Sequence, residues 1–177
     1  MENIQSIKDK LISLINNNLS ENIVDVKMLP ASGSSRIYFR ILTETKTYIA
    51  TYNSNIEENI AFFVFTNHFR EKNLPVPELI AVSDDKSCYL QSDFGDISLF
   101  DYVKKCVKNN KYDEETICLY KKSIDNLVDF QIKGHDNIDY SVAYPSPSFN
   151  KTSIIDDLNY FKYYFLKVNE EIGRAHV

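Results

Sequence analysis

Gly33, Ser34, Ser35 and Arg36 put three small residues directly ahead of a guanidinium, and a second arginine, Arg40, follows on the next strand. Small side chains let consecutive backbone N–H groups turn inward as a concave anion site, and a glycine can enter such a turn at positive φ without steric cost. Arginine adds a forked, permanently charged donor set that matches phosphate oxygens. Alternation along a strand sets Arg36, Tyr38 and Arg40 on one face and Ile37, Phe39 and Ile41 on the other. The stretch predicts a phosphate-gripping hairpin whose apolar side seeks a core. The same residues also fit an ordinary hairpin with a serine-rich turn and two surface arginines. Two histidines offer other chemistry. His68 falls among phenylalanines and reads as a packed side chain. His135-Asp136-Asn137 has the residue types of a proton-transfer loop, but it follows a helix directly and lacks a spaced asparagine and a second acid.

Positioning that hairpin requires a sheet with covered faces. Ile4, Ile7, Leu11, Leu14 and Ile15 mark an amphipathic helix over Glu2 to Asn18. Strands are predicted at Asn22 to Met28, from Arg36 through Thr43, and at Thr47 to Tyr52, forming an antiparallel meander. Asn55 is the expected N-cap of a helix reaching about Lys72, with Glu57 and Glu58 at its positive end. Two apolar stripes on this helix, Ile56, Ile60, Phe63, Val64 and Phe62, Phe65, Phe69, imply burial on more than one side. Leu74-Pro75-Val76-Pro77 stops it, and Glu78 to Val82 with Ser87 to Ser92 reads as a second hairpin. Beyond it lie a helix from Ser98 to about Lys108, capped by Asp96 or Ser98, a polar linker over Asn109 to Tyr112, and a helix from Asp113 to about Lys133. Ile117, Tyr120, Ile124, Leu127, Val128 and Gln131 mark that second helix, and Gly134 is its expected end. An ordered loop carries Pro145 and Pro147. A last helix is predicted to start at Ser153, with Asp156 at the capping-box position, and to bury Ile154, Leu158, Phe161, Phe165 and Val168. The class is α+β: a five-stranded antiparallel sheet with one inserted helix, followed by helices.

The 177 residues contain 44% hydrophobic and 13% aromatic side chains with only 4 glycines and 5 prolines, a composition that builds a core. A net charge of -5 gives no general attraction to nucleic acid or to an anionic membrane, so a basic site has to be local. Three cysteines, Cys88, Cys106 and Cys118, lack paired metal-ligand spacing and favour a reducing compartment. With no signal-like apolar stretch and no run of membrane-spanning length, a cytoplasmic protein without membrane partners is expected.

The order strand, small-residue loop, two strands, helix, two strands, connector and helices resembles the N-terminal lobe and hinge of the protein-kinase-like fold in its aminoglycoside phosphotransferase branch. Pro30-Ala31-Ser32-Gly33-Ser34-Ser35-Arg36-Ile37-Tyr38-Phe39-Arg40, Tyr48-Ile49-Ala50-Thr51-Tyr52, Asn73-Leu74-Pro75-Val76-Pro77-Glu78 and Tyr89-Leu90-Gln91-Ser92-Asp93-Phe94-Gly95-Asp96 carry the resemblance. Within the branch the chain is most similar to the anomeric kinases of N-acetylmuramate and N-acetylglucosamine. The resemblance implies an N-lobe over residues 1–92, a hinge over 93–97 and a partial helical C-lobe over 98–170. It further implies ATP held through Gly33, Ser34, Ser35, Arg36 and Arg40, with Gln91, Ser92, Asp93 and Phe94 at the adenine edge. Glu58, or Glu57, matches the helix acid that faces a phosphate-binding lysine. That lysine's place is taken by Thr51, so arginines of the loop strand are expected to substitute. Asp93-Phe94-Gly95 spells a kinase metal motif, but at the hinge it is a chance match.

Magnesium ligands and the catalytic base match no residue of the chain and are expected beyond it. Ile172-Gly173-Arg174-Ala175-His176-Val177 is what ATC GGA AGA GCA CAC GTC encodes, the start of a sequencing-library adapter. Residues 171–177 are therefore expected to be a non-native tail on a C-terminally truncated fragment that leaves part of the last helix's aromatic face, including Phe161 and Phe165, uncovered, is poorly soluble and does not turn over. The implied acceptor is a sugar or amino sugar. An aminoglycoside, choline or homoserine acceptor, or a non-catalytic nucleotide-binding module, remains open. Asn159, Tyr160 and Tyr163 fit either an acceptor pocket or a plain core helix.

Overall fold

The computed structural model describes residues 3–31, 33–106 and 112–168. By compactness the chain forms two units, Met1–Asp139 and Tyr140–Val177. The first opens with α1 (Ile4–Asn18), whose N-cap Asn3 accepts the Gln5 N–H at 3.1 Å. Five strands follow, β1 (Ile23–Met28), β2 (Ile37–Thr43), β3 (Thr47–Tyr52), β4 (Leu79–Val82) and β5 (Cys88–Ser92), ordered β1-β2-β3-β5-β4 with every pairing antiparallel. Ile7, Leu11, Leu14 and Ile15 of α1 bury against Phe39, Ile41, Tyr48, Ala50 and Leu90, one alternating face of the sheet. Ile4 lies outside this contact and is exposed. A helix of this length is marginal in water on its own, so the packed face holds it, at roughly 1.5–3 kcal/mol for each large apolar side chain buried.

The other sheet face carries Tyr38, Arg40, Thr51, Tyr89 and Gln91, and α2 (Ile56–Glu71) covers part of it. The Phe62 and Phe63 rings each stand 5.2 Å from Tyr89. Asn55 caps α2 as expected, accepting from the Glu58 N–H at 3.1 Å. Both predicted stripes are at least half-covered, but the innermost line is Asn59, Phe63 and Thr66, so two polar residues sit deeper than most of the aromatic ones.

Helix α3 (Leu99–Cys106) is capped by Ser98, whose Oγ accepts from the Asp101 N–H at 3.0 Å. Asp113 caps α4 (Glu114–Ile132) through the Thr116 N–H at 2.7 Å. Residues 107–111, including the predicted end of α3 at Lys108 and most of the polar linker, lie outside the described residues. Gly134 follows α4, but for a reason other than left-handed geometry: a Cβ there would meet the Phe130 carbonyl oxygen at 2.4 Å and the Phe69 ring at 3.1 Å, while positive φ is taken by Asn137. Of the residues that mark α4, Ile117, Tyr120, Ile124, Leu127 and Val128 are exposed.

In the second unit, α5 (Lys151–Phe161) begins before the predicted Ser153. Asn150 outcompetes the capping-box reading by accepting from the Thr152 and Ser153 N–H groups at 2.9 and 3.3 Å. One π-helical turn, Lys162–Leu166, continues it. Ile154, Leu158 and Val168, predicted to be buried, are 44% to 72% exposed, and Phe161 and Phe165, expected to be left uncovered in this chain, are 49% and 48% exposed. Tyr160 and Tyr163 are exposed as well, so α5 is not the core helix expected, and Tyr160 stacks on Tyr164 at 4.4 Å. Residues 169–177, with the predicted tail, lie outside the described residues. No helix among the described residues is long and apolar enough to cross a membrane.

Candidate functional site

The loop between β1 and β2 is closed at its mouth by the Leu29 N–H donating to the Tyr38 carbonyl at 2.9 Å. Gly33, Ser34 and Ser35 beyond it are exposed. Gly33 does not take the positive φ that the sequence suggested, and a Cβ on it would meet nothing within 4 Å. What the small residues provide is bare, accessible backbone at the loop tip.

Arg36 leaves this loop one residue before β2 and turns onto the α2 face. Its Nη2 lies 2.8 Å from Glu58 Oε1, its guanidinium is 5.6 Å from the Phe62 ring centre, and its Nε is shielded without an acceptor. Of the two acids at the start of α2, Glu58 meets Arg36, and Glu57 is exposed. Thr51, at the place where the resemblance puts a lysine, is fully buried. Glu58 is aimed by a buried amide cluster. Asn53 Nδ2 donates to Glu58 Oε2 and to Asn59 Oδ1, each at 3.1 Å, and Asn59 Nδ2 donates to the Asn53 and Lys86 carbonyls at 2.9 and 2.8 Å. Asn53 Oδ1 accepts from the Asn55 N–H at 3.1 Å and from Ser35 Oγ at 3.5 Å. Asn53 and Asn59 are 0% exposed, and buried amides persist only when so partnered. One cluster therefore ties the loop, the end of β3, the start of α2 and the β4–β5 turn. Pattern reasoning missed it, although asparagines at 53, 55 and 59 are visible in the sequence.

Arg40 serves a different place. Its Nε lies 2.6 Å from Asp93 Oδ2, its Nη2 donates to Asp93 Oδ1 at 3.2 Å and to the Gly95 carbonyl at 3.1 Å, and its Nη1 pairs with Asp96. The Asp96 and Asp93 carboxylates hold the Arg40 guanidinium above its ordinary pKa. Burial alone would raise the Asp93 carboxyl, but the Gly95 amide and Arg40 bring it below its usual value. Asp93 Oδ1 also accepts from the Gly95 N–H at 2.8 Å, and Gly95 sits at φ +92°. Asp93-Phe94-Gly95 is thus a side-chain-closed turn. Ser92 is tied to Glu78 in both directions, Oγ accepting at 2.9 Å and N–H donating at 3.0 Å. Phe94, between these anchors, is 71% exposed. Gln91 shares a cross-strand row with Ile49 and Arg40, and its Oε1 is shielded without a partner.

The structure thus gathers Ser35, Arg36, Asn53 and Glu58 at one end of the sheet face and Arg40, Gln91, Asp93 and Gly95 at the other. Four residues of strand, about 13 Å, separate the two arginines. His68 is packed as expected, with Nε2 2.8 Å from the Gly134 carbonyl. Asp136 pairs with Lys72 at 2.7 Å, which pulls its carboxyl below the ordinary range. Among the described residues no group of three or more His, Cys, Asp or Glu side chains could hold a metal ion. A groove of about 600 Å³ lies on the α1 side of the sheet, lined by Lys10, Leu14, Asn18, Val82, Asp85 and Cys88. Its one lysine stands 4.0 Å from Asp85, so it offers no surplus cation to a phosphate. No protein-family model and no curated protein matches the chain.

Proposed function

We propose that this sheet is the nucleotide-binding half of an ATP-dependent small-molecule phosphotransferase of kinase-like design, with a sugar or amino sugar as acceptor. The observation that carries the reading is Arg36, held by Glu58 beside an exposed loop of small residues. Glu58 orients the guanidinium, and the Gly33–Ser35 backbone would supply amides to the same phosphates. The pairing reproduces the task of a strand lysine and helix acid with the cation moved into the loop. Magnesium would arrive with the nucleotide; the described residues fit no ligand set for it, and its ligands are assigned to none of them.

A second reading, a non-catalytic nucleotide-binding module, is favoured by one observation: Glu58, Asp93, Asp96 and Asp136 are each committed to an arginine or lysine. A base for an acceptor hydroxyl has to be able to take its proton. Aminoglycoside, choline and homoserine acceptors fit the first reading equally. Calorimetric titration of the chain with ATP and magnesium tests both. Saturable binding weakened about tenfold or more by Arg36→Met, the weight of a charged hydrogen bond, is the expected result. Binding that ignores the substitution would remove the proposal. Phosphorylation of N-acetylmuramate above a heat-inactivated control would decide against the non-catalytic module.

A further inference from the structure

Asn53 and Asn59 are 0% exposed, and their amides meet backbone groups whose hydrogen-bonding roles cannot be exchanged. Asn59 Nδ2 donates to the carbonyls of Asn53 and Lys86, which can only accept, so its Oδ1 is turned toward Asn53. The Lys86 carbonyl comes from the β4–β5 turn, where Lys86 sits at φ +59° and donates its own N–H to the Ser83 carbonyl at 2.8 Å. On the other side, Asn53 Oδ1 accepts from the Asn55 N–H, which can only donate. Asn53 is therefore fixed from both sides and presents Nδ2 to Asn59 Oδ1 and to Glu58 Oε2. Half a turn of either amide would set its oxygen against two others and an N–H against an N–H. Each buried group so orphaned costs about 1–3 kcal/mol.

We infer that Asn53, locked in orientation by Asn59, is a positioning residue for Arg36: it admits only a hydrogen-bond acceptor at residue 58, which leaves the second carboxylate oxygen to the guanidinium. Asn53 acts through Glu58, whose Oε2 it holds while Oε1 lies 2.8 Å from Arg36 Nη2. An ion pair of two free side chains fluctuates and contributes little, whereas this one has an end anchored on buried amides. The guanidinium is thus ordered before any anion arrives, and binding does not have to order it. The inference rests on the nucleotide reading above only for the identity of that anion. It also explains why a carboxylate, and not merely a polar side chain, stands at residue 58. A glutamine there would have to give its carbonyl oxygen to Asn53 and turn its amide hydrogens toward Arg36, donor against donor.

The test follows the Arg36 side-chain N–H groups by NMR in the free full chain and titrates inorganic tripolyphosphate by calorimetry, in wild type, Glu58→Gln, Glu58→Ala and Asn53→Leu. Glu58→Gln and Glu58→Ala remove the same charge and differ in what they can offer the arginine. With the amides locked, the glutamine offers it nothing. Both variants should speed hydrogen exchange at Arg36 by about tenfold, the weight of a charged hydrogen bond, and bind tripolyphosphate within about twofold of each other. Asn53→Leu, which keeps Glu58, should speed the same exchange by about threefold. Because the Glu58 side chain is 29% exposed, its variants fold and decide the matter if Asn53→Leu does not. If Glu58→Gln leaves Arg36 as protected as in wild type, Asn53 turns freely and the inference falls while the nucleotide reading stands. A folded Asn53→Leu chain with a lowered melting temperature and wild-type exchange at Arg36 shows a purely structural asparagine and overturns the inference in the same limited way. A wild-type chain with protected Arg36 N–H groups that binds neither tripolyphosphate nor ATP removes the nucleotide reading and leaves the lock in place.

Discussion

Arg36 shows how far a single residue can be read from its neighbours. Small residues before an arginine pointed to an anion site, because that chemistry depends on local backbone and one cation. Its partner was legible only through the family resemblance, since Glu58 reaches it across β2, β3 and a turn, and no local spacing encodes a tertiary contact. Asn53 and Asn59 were not legible at all. Asparagine in sequence suggests turns and caps, which Asn55 satisfies, whereas the other two are defined by carbonyls that the fold brings from elsewhere. Tyr89, on the same face, yields a pH prediction. Burial pushes its phenol up to about 12 from an ordinary value of 10.0. Between those values the unfolded chain gives up the proton and the folded chain keeps it, so stability present below pH 10 declines as pH rises toward 12. Tyr89→Phe should flatten that alkaline decline by up to about 2 kcal/mol in urea unfolding followed against pH. An identical slope in both proteins would contradict the burial argument.

Among the elements, the strands were the most legible. Alternation has only two outcomes, and Phe39, Ile41, Tyr48, Ala50 and Leu90 all fall on the α1 side. Helices were recovered, Ser98 being one of the two caps open for α3, with an error at the start of α5, where Asn150 takes the cap. Burial within helices was less readable, because an apolar stripe states what could be covered and leaves open whether anything covers it. The end of α4 shows the same limit. Gly134 was expected to end the helix, and its role there is closeness, with the Phe69 ring and the Phe130 carbonyl occupying the space of a side chain. Phe69 and Phe130 meet edge to face at 5.1 Å just beside it. Gly134→Ala should therefore cost about 1–3 kcal/mol, since the nearer obstacle is backbone and cannot rotate aside. A thermal melt unchanged from wild type would show that α4 can shift freely against α2.

At the scale of the whole molecule, the two units expose much apolar surface. Ile117, Tyr120, Ile124, Leu127, Val128 and Ile132 on α4 are 43% to 68% exposed, and α5 carries a similar face. Contiguous surface of that kind associates in water. The chain should self-associate as its concentration rises in light-scattering chromatography, and Ile124→Lys with Leu127→Glu should reduce the association without moving the melting temperature. A monodisperse wild-type monomer would contradict this. The central claim, however, concerns one sheet face, where the proposed nucleotide site sets the loop-borne Arg36 against Glu58 of α2. Its most direct test is a residue-resolved NMR titration of the labelled chain with ATP. The account predicts shifts concentrated at Gly33–Arg36, Glu58 and Ser92–Gly95. Shifts confined to the α1 groove around Lys10 and Asp85, or none at saturating nucleotide, would contradict it.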